Sequence, residues 1–519
     1  MPSRWRTRSR RHRLVGTVMI AALTVALPPA VRAVVPGPLL SSAHVTVNFS
    51  APQGPLRHTE RYNNFSDDSI YPDQRASDVA FLNDHGLHGR IYRTWADKTT
   101  CSAGTTSCVI TATNDAYMRD ASNVSDAVLL NTQEPHLTAG QEPSTIYPQA
   151  YALIKTMKQR YPRLRYIEAF NEPNYDLASV LQPDQLYPYY VQFYMAVNAV
   201  NAELHPQIPL LVGGPAFNSF DPTWFEPFLA SYAADPNPAK RLDFISYHDY
   251  DWNLGLSSPP PSDFAGQRAQ LETWLRADGL STAIPSFVSE TGLYPGPAFD
   301  DPSGTTDYLR QATGLASIDY WLAGQPNTYP FNWVVRHQTD PRKDEFVTRT
   351  LPTVPYIPGI TPNVGQPVTP TGIPTGVLSP YGNLLLMQSK MKRTRVSATS
   401  DTLTNGIGVY AVASKDTTGA AAMIWNFQRL GNNGYAVTVD MSNLPSTLAG
   451  KVVRERLFRI DQTTSNYYTD PLSRAAPDAG RDNLQQVGEA TLTPGASLSL
   501  TLDLDPNAIY LVLLEPASP

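Results

Sequence analysis

Eight short strand-like runs between residues 58 and 335, most of them separated by stretches expected to be helical, restrict the fold of this chain more than any other feature. The runs are 58–65, 89–95, 126–132, the run opening at Tyr166, 209–215, 242–250, 285–290 and 329–335. Between them, Tyr190, Phe193, Val197, Val200 and Leu204 mark the apolar face of a helix. Helices are also expected over 76–87, 147–161, 264–277 and 306–324, with Pro162 and Gly279 as stops. Strand and helix alternating over roughly 280 residues match a (β/α)8 barrel, for which about 250 is typical. The competing architecture is a doubly wound open sheet, and no Gly-rich phosphate loop follows any of these strands.

The barrel is expected to occupy 57–395, with 382–395 as its last helix. Before that helix, 336–381 is a long segment rich in Pro, Thr and Gly without periodicity, expected to leave the rim of the barrel. From 396 to 519 short alternating runs (406–412, 420–427, 435–439, 452–460, 497–504 and 508–514) indicate a β-sandwich. The alternating run 44–49 lies in an N-terminal piece, 34–56, expected to add a strand to that sandwich.

With 42% hydrophobic and 17% charged residues the chain is globular. A net charge of -6 and the absence of a long basic run argue against nucleic acid as a partner. Lys390, Lys392, Arg393 and Arg395 read as the solvated face of a helix. Residues 1–33 have the pattern of an export signal: Arg-rich start, apolar Leu14 to Leu27, then Val31-Arg32-Ala33 for cleavage. Ser9-Arg10-Arg11 hints at twin-arginine export, although Arg13 stands where that signal usually has an apolar residue. The apolar run is too short to span a bilayer. A secreted protein beginning near Val34, with no membrane attachment after export, is therefore expected. The two cysteines, Cys101 and Cys108, lie in the exported part, where an oxidising compartment favours their pairing. No His-Glu-x-x-His occurs and the cysteines lack a nearby His pair, so neither a metal nor any other cofactor is expected.

The chemistry concentrates at two strand ends. Strand alternation places Tyr166, Glu168, Phe170 and Glu172 on one face, and carboxylates on the inner face of a core strand are costly unless used or paired. Asn171-Glu172-Pro173 closes that strand. Glu290, in Phe287-Val288-Ser289-Glu290-Thr291-Gly292, closes the seventh. Barrel enzymes keep their reacting groups at the C-terminal ends of strands, and two glutamates there suit the cleavage of a glycosidic bond.

The run Glu168-Ala169-Phe170-Asn171-Glu172-Pro173-Asn174 resembles the acid/base signature of clan A glycoside hydrolases. It is most similar to the Glu-x-Trp-Asn-Glu-Pro run of glycoside hydrolase family 39, the β-xylosidases and α-L-iduronidases. Arg93-Thr94, Gly213-Gly214-Pro215 and the run from Leu242 to His248 resemble that family's second, fifth and sixth strands, in order. The resemblance implies a barrel with a trailing β-sandwich and a retaining glycosidase. In it Glu172 is the acid/base, with a raised pKa, and Glu290 is the nucleophile. Asn171 would bind the sugar's 2-hydroxyl, and Arg93 with Tyr250 or His248 would orient Glu290. Trp95, His248, Tyr250 and Trp333 are expected to border the sugar. Phe170, Trp95 and Thr291 depart from the family's frequent Trp, His and Trp. These positions border the sugar-binding subsite, so a pentose and a furanoside such as arabinofuranose remain equally open. Exo action is expected if 336–381 walls one end of the site. An endo-acting clan A glycanase and a non-catalytic carbohydrate-binding relative are the alternatives, and the second would lack one carboxylate.

Overall fold

The computed structural model describes residues 40–65, 79–80, 82–96, 99–101, 108–132, 140–250, 262–293, 308–333, 335, 378–466, 469–470, 472, 480–481 and 483–517. The export segment and residues 336–377 of the expected rim loop lie outside them. Strand β1 (Ser41–Pro55) precedes β2 (Tyr62–Asn64) and β3 (Gly89–Trp95). A small hairpin, β4 (Thr99–Thr100) with β5 (Val109–Ile110), follows. Then come β6 (Ser125–Thr132), β7 (Leu164–Ala169), β8 (Leu211–Phe217), β9 (Phe244–Tyr250), β10 (Ser286–Gly292) and β11 (Thr328–Asn332). Strands β2, β3 and β6 to β11 close into an eight-stranded barrel in which every neighbouring pair is parallel.

Alternation along the strands builds the barrel interior in layers. Ile91, Leu129, Phe244, Phe287 and Phe331 form an apolar plug with Tyr62, Tyr166 and Tyr329. Phe244 stacks on Phe287 at 4.6 Å, and Tyr166 meets Phe287 edge-on at 5.5 Å. Two residues further along their strands, Asn64, Arg93, Asn131 and Glu168 form a buried polar layer above the plug. The plug excludes water from below, so this polar layer faces only the C-terminal mouth. Outside, the helices Tyr147–Arg160, Tyr187–Leu204, Pro222–Ala234, Ser262–Ala277 and Tyr308–Leu322 flank the strands. Helix Tyr187–Leu204 buries the expected Tyr190, Phe193, Val197 and Val200. Among the described residues no helix is long and apolar enough to cross a membrane.

The last barrel helix is Pro380–Ser389, shorter than the sequence pattern implies. Lys390, Lys392, Arg393 and Arg395 are consequently not a helix face. They lead into β12 (Thr394–Ser400), and Lys392 is buried against Glu515 at 2.8 Å. Strands β13 (Gly408–Asp416), β14 (Gly419–Phe427), β15 (Tyr435–Ser442), β16 (Val453–Ile460), β17 (Gln485–Leu492), β18 (Ser497–Leu504) and β19 (Ile509–Pro516) follow. With β12 and β1 they make a nine-stranded, mostly antiparallel sheet, in which β1 lies between β12 and β15. Val45, Val396, Ile424, Val439, Leu502 and Val512 share one apolar core, so the sheet closes over itself as a β-sandwich. β14 is buried on both faces: Ala420, Ala422 and Ile424 enter the sandwich core, while Ala421, Met423 and Trp425 join the barrel's outer core. An apolar run without alternation is what burial on two sides requires.

Candidate active site

β7 ends at Ala169 because the backbone turns left-handed, with φ 67° at Phe170 and φ 47° at Glu172. Neither residue is glycine, and strain of this kind is found where side chains must be aimed. Strand alternation therefore stops short of the motif. Phe170 leaves the barrel interior and packs edge-on against Phe193 of the helix layer, at 5.2 Å. Glu172 heads the short helix Pro173–Asp176, its amide donating to the Ala216 carbonyl at 2.8 Å. Pro173 suits that first helical position because its φ is fixed and its missing N–H is not needed there.

Glu290 reaches the same mouth by a different device. Simple alternation from the inward Phe287 would turn Glu290 outward. The β10–β9 ladder slips after Val288, so that Val288 pairs with Tyr247 and Glu290 with His248. Such a bulge re-aims the side chain that follows it. His248 and Tyr250, two apart on β9, then face the same space.

The resulting contacts converge on two carboxylates. Arg93 Nη1 donates to Glu290 Oε1 at 2.7 Å, and Tyr250 donates to Glu290 Oε2 at 2.7 Å. His248 Nδ1 bonds Glu172 Oε1 at 2.8 Å and lies 3.5 Å from Glu290 Oε2. Arg93 Nη2 donates to Asn171 Oδ1 at 2.7 Å and approaches His248 Nε2 at 3.5 Å. Arg93 Nε donates to Glu168 Oε2 at 2.7 Å. An arginine can only donate, so its contact with His248 Nε2 assigns that nitrogen as the acceptor and Nδ1 as the proton-bearing nitrogen facing Glu172. One carboxylate oxygen each of Glu172 and Glu290 and a ring nitrogen of His248 all lie within 4.8 Å of one another. These three are close enough to share a cation, but their facing atoms are already engaged by the Arg93, Tyr250 and His248 donors.

Arg93 and His248 are fully enclosed, Glu290 is buried, and Glu172, Asn171 and Tyr250 are half-buried at the mouth. Burial opposes the Arg93 charge, yet Glu168 and Glu290 hold its pKa above the ordinary value. Burial likewise works to raise Glu172. The hydrogen bond from His248, together with the Arg93 charge, outweighs it and leaves this carboxyl below its usual value. The direction is thus opposite to the raised pKa expected for Glu172.

Trp95 is buried, with the Arg93 guanidinium 4.8 Å from its ring and Trp333 edge-on at 5.6 Å. Trp333 is half-buried, and its carbonyl accepts from the Tyr381 hydroxyl at 2.8 Å. Cys101 and Cys108, which flank the loop between β4 and β5, form a disulfide. Two members of the site escaped the sequence reading. Asn64 accepts from Arg93 Nη1 at 3.2 Å, and Asn131 donates to Glu168 Oε2 at 2.9 Å. Their signal was an asparagine near the end of a buried strand, which resembles an ordinary turn residue.

No protein-family model matches this chain, and no curated protein matches it. Solved structures do resemble it. A bacterial orthologue of human α-L-iduronidase aligns with a TM-score of 0.67 and 12% identity, over 92% of this chain and 84% of that one. A monomeric β-xylosidase from Caulobacter crescentus CB15 aligns with a TM-score of 0.62 and 15% identity, over 92% and 100%. The glycoside hydrolase family 39 enzyme from Xanthomonas axonopodis pv. citri aligns with a TM-score of 0.61 and 15% identity, over 92% and 98%. The fold of this chain, barrel and β-sandwich together, is the one these glycoside hydrolases share.

Proposed function

We propose that this protein is a secreted, retaining glycoside hydrolase that removes a terminal pentose or furanoside residue from an oligosaccharide or polysaccharide. The observation that carries the reading is the approach of Glu172 and Glu290 at the barrel mouth, with facing oxygens within 4.8 Å. Retaining enzymes hold their two carboxyl groups about 5–5.5 Å apart, whereas inverting ones leave about 6.5–9.5 Å for a water. In this reading Glu290 attacks the anomeric carbon and Glu172 protonates the departing oxygen. The covalent glycosyl ester on Glu290 is then hydrolysed by a water that Glu172 deprotonates. Arg93 and Tyr250 aim Glu290 through charge-assisted and hydroxyl hydrogen bonds. Asn171, fixed by Arg93, offers its amide to the 2-hydroxyl. Trp333, at the rim, supplies an apolar face for the sugar, with Trp95 supporting it from beneath.

Export is supported by the N-terminal signal pattern and by the disulfide, which persists in oxidising compartments. Exo action rests on sequence alone: the Pro-rich stretch 336–381 follows the last barrel strand, and the fixed φ angles of proline would suit a wall at one end of the site. The decisive experiment offers a panel of aryl glycosides, then natural oligosaccharides, and follows the first product by proton NMR. Retained configuration and early release of monosaccharide are expected. Inverted product refutes the double displacement, and an early ladder of mid-length products refutes exo action.

A further inference from the structure

A third carboxylate stands behind the two at the mouth. Glu168 is fully buried in the polar layer of the barrel, one ladder step from Asn131 on β6 and beside Gly213 on β8. Its Oε2 accepts from Arg93 Nε at 2.7 Å and from Asn131 Nδ2 at 2.9 Å. Its Oε1 is buried without a hydrogen-bond partner among the described residues. The Arg93 guanidinium is thus held from behind through Nε and presents Nη1 to Glu290 and Nη2 to Asn171. That arrangement serves two ends. A guanidinium gripped at Nε has one orientation, which transmits to both residues it contacts. A single positive charge divided between two carboxylates also neutralises neither completely.

We propose that Glu168 is a positioning residue whose buried negative charge, acting through Arg93, keeps Glu290 a competent nucleophile instead of one locked in a one-to-one ion pair. The proposal rests on the reading of Glu290 as nucleophile. Were Glu168 neutral, the whole Arg93 charge would fall on Glu290, stabilising the carboxylate before attack and resisting its conversion to an ester. Glu168→Gln retains an acceptor for Arg93 Nε and nearly the same volume while removing the charge.

In Glu168→Gln kcat should fall about tenfold, with KM changed far less. Glu168→Asp, which keeps the charge, should recover most of the lost kcat. A merely structural Glu168 predicts the opposite pattern: an unchanged kcat in Glu168→Gln with loss of melting temperature alone, and that result overturns the proposal. Neutron diffraction from the unaltered protein provides a reading that depends on no variant and no substrate. A bare Glu168 carboxylate at pH 6 is expected, and a deuterated one overturns the proposal. Failure of the underlying reading looks different, because then Glu290→Ala would retain activity.

Discussion

At the residue scale the proposed chemistry turns on how Glu172 comes by its proton. His248 donates to it and Arg93 lends positive charge, so it is held below its ordinary pKa although burial pulls the other way. A general acid must be protonated to act, and the alkaline limb of kcat/KM reports the loss of that proton. The limb should therefore lie on the acid side of neutrality. His248→Ala removes the donor that lowers Glu172, so the limb should move to higher pH; a limb that stays or moves down would exclude His248 as the cause. Glu290→Ala should lose detectable turnover, and small added anions should restore part of it by occupying the vacated space. The two glutamates were legible in the sequence because a strand-terminal acid within Asn171-Glu172-Pro173, and a second acid three strands later, are positions where charge is costly unless used. What brings them together was not. The left-handed backbone at Phe170 and Glu172 and the bulge before Glu290 are tertiary solutions, and alternation carried through them placed Phe170 on the wrong face.

Elements differ in how openly they announce themselves, and burial explains the difference. The barrel strands run through a core on both sides, so their apolar runs stand out, and β3 has the bounds its sequence implies. β12 and β17 passed unnoticed. In β12 only Val396 is buried, and no residue of β17 is. Without an apolar face a strand has no period-two signal, and pairing with its neighbours makes it one. The β4–β5 hairpin is shorter still and is closed by Cys101–Cys108, with the Cys108 amide donating to Thr156 Oγ1 at 3.2 Å. A cross-link over so short a loop contributes under about 3 kcal/mol. Cys108→Ser should accordingly hasten proteolysis between β3 and the helix Ala112–Asn123 while leaving the main melting transition within a few degrees. A collapse of that transition would show that the hairpin is part of the cooperative core. Alkylation of the unreduced, denatured protein should find no free thiol.

Across the whole molecule the barrel and the β-sandwich share a seam, and it holds a titrating group. Trp425 of β14 donates to Ser317 of the helix Tyr308–Leu322 at 2.9 Å and stacks on Tyr410 at 5.1 Å. Truncating so large a buried ring costs about 3–5 kcal/mol, and because both units lose contacts, Trp425→Ala should lower a single shared transition. On the same helix, Asp319 is buried in a small cavity with Arg57, Glu60 and Gln388. Its Oδ2 accepts from Gln388 at 2.7 Å. Burial pushes its carboxyl up to about 7, with Glu60 adding to the effect and the hydrogen bonds of Gln388 and Thr59 and the Arg57 charge opposing it. The folded protein therefore holds a proton here that the unfolded chain releases near pH 4. Wherever the native state binds the extra proton, stability falls as pH rises, by about 1.4 kcal/mol per pH unit for one group. The stabilising contribution of neutral Asp319 is complete below pH 4 and is lost as the pH climbs through about 7, after which no further loss comes from this group. Asp319→Asn stays neutral and keeps an oxygen for Gln388. Its melting temperature relative to the unaltered protein should rise steadily from pH 4 to pH 7 and then level off. A difference independent of pH would mean that Asp319 is ionised in the seam throughout, balanced by Arg57.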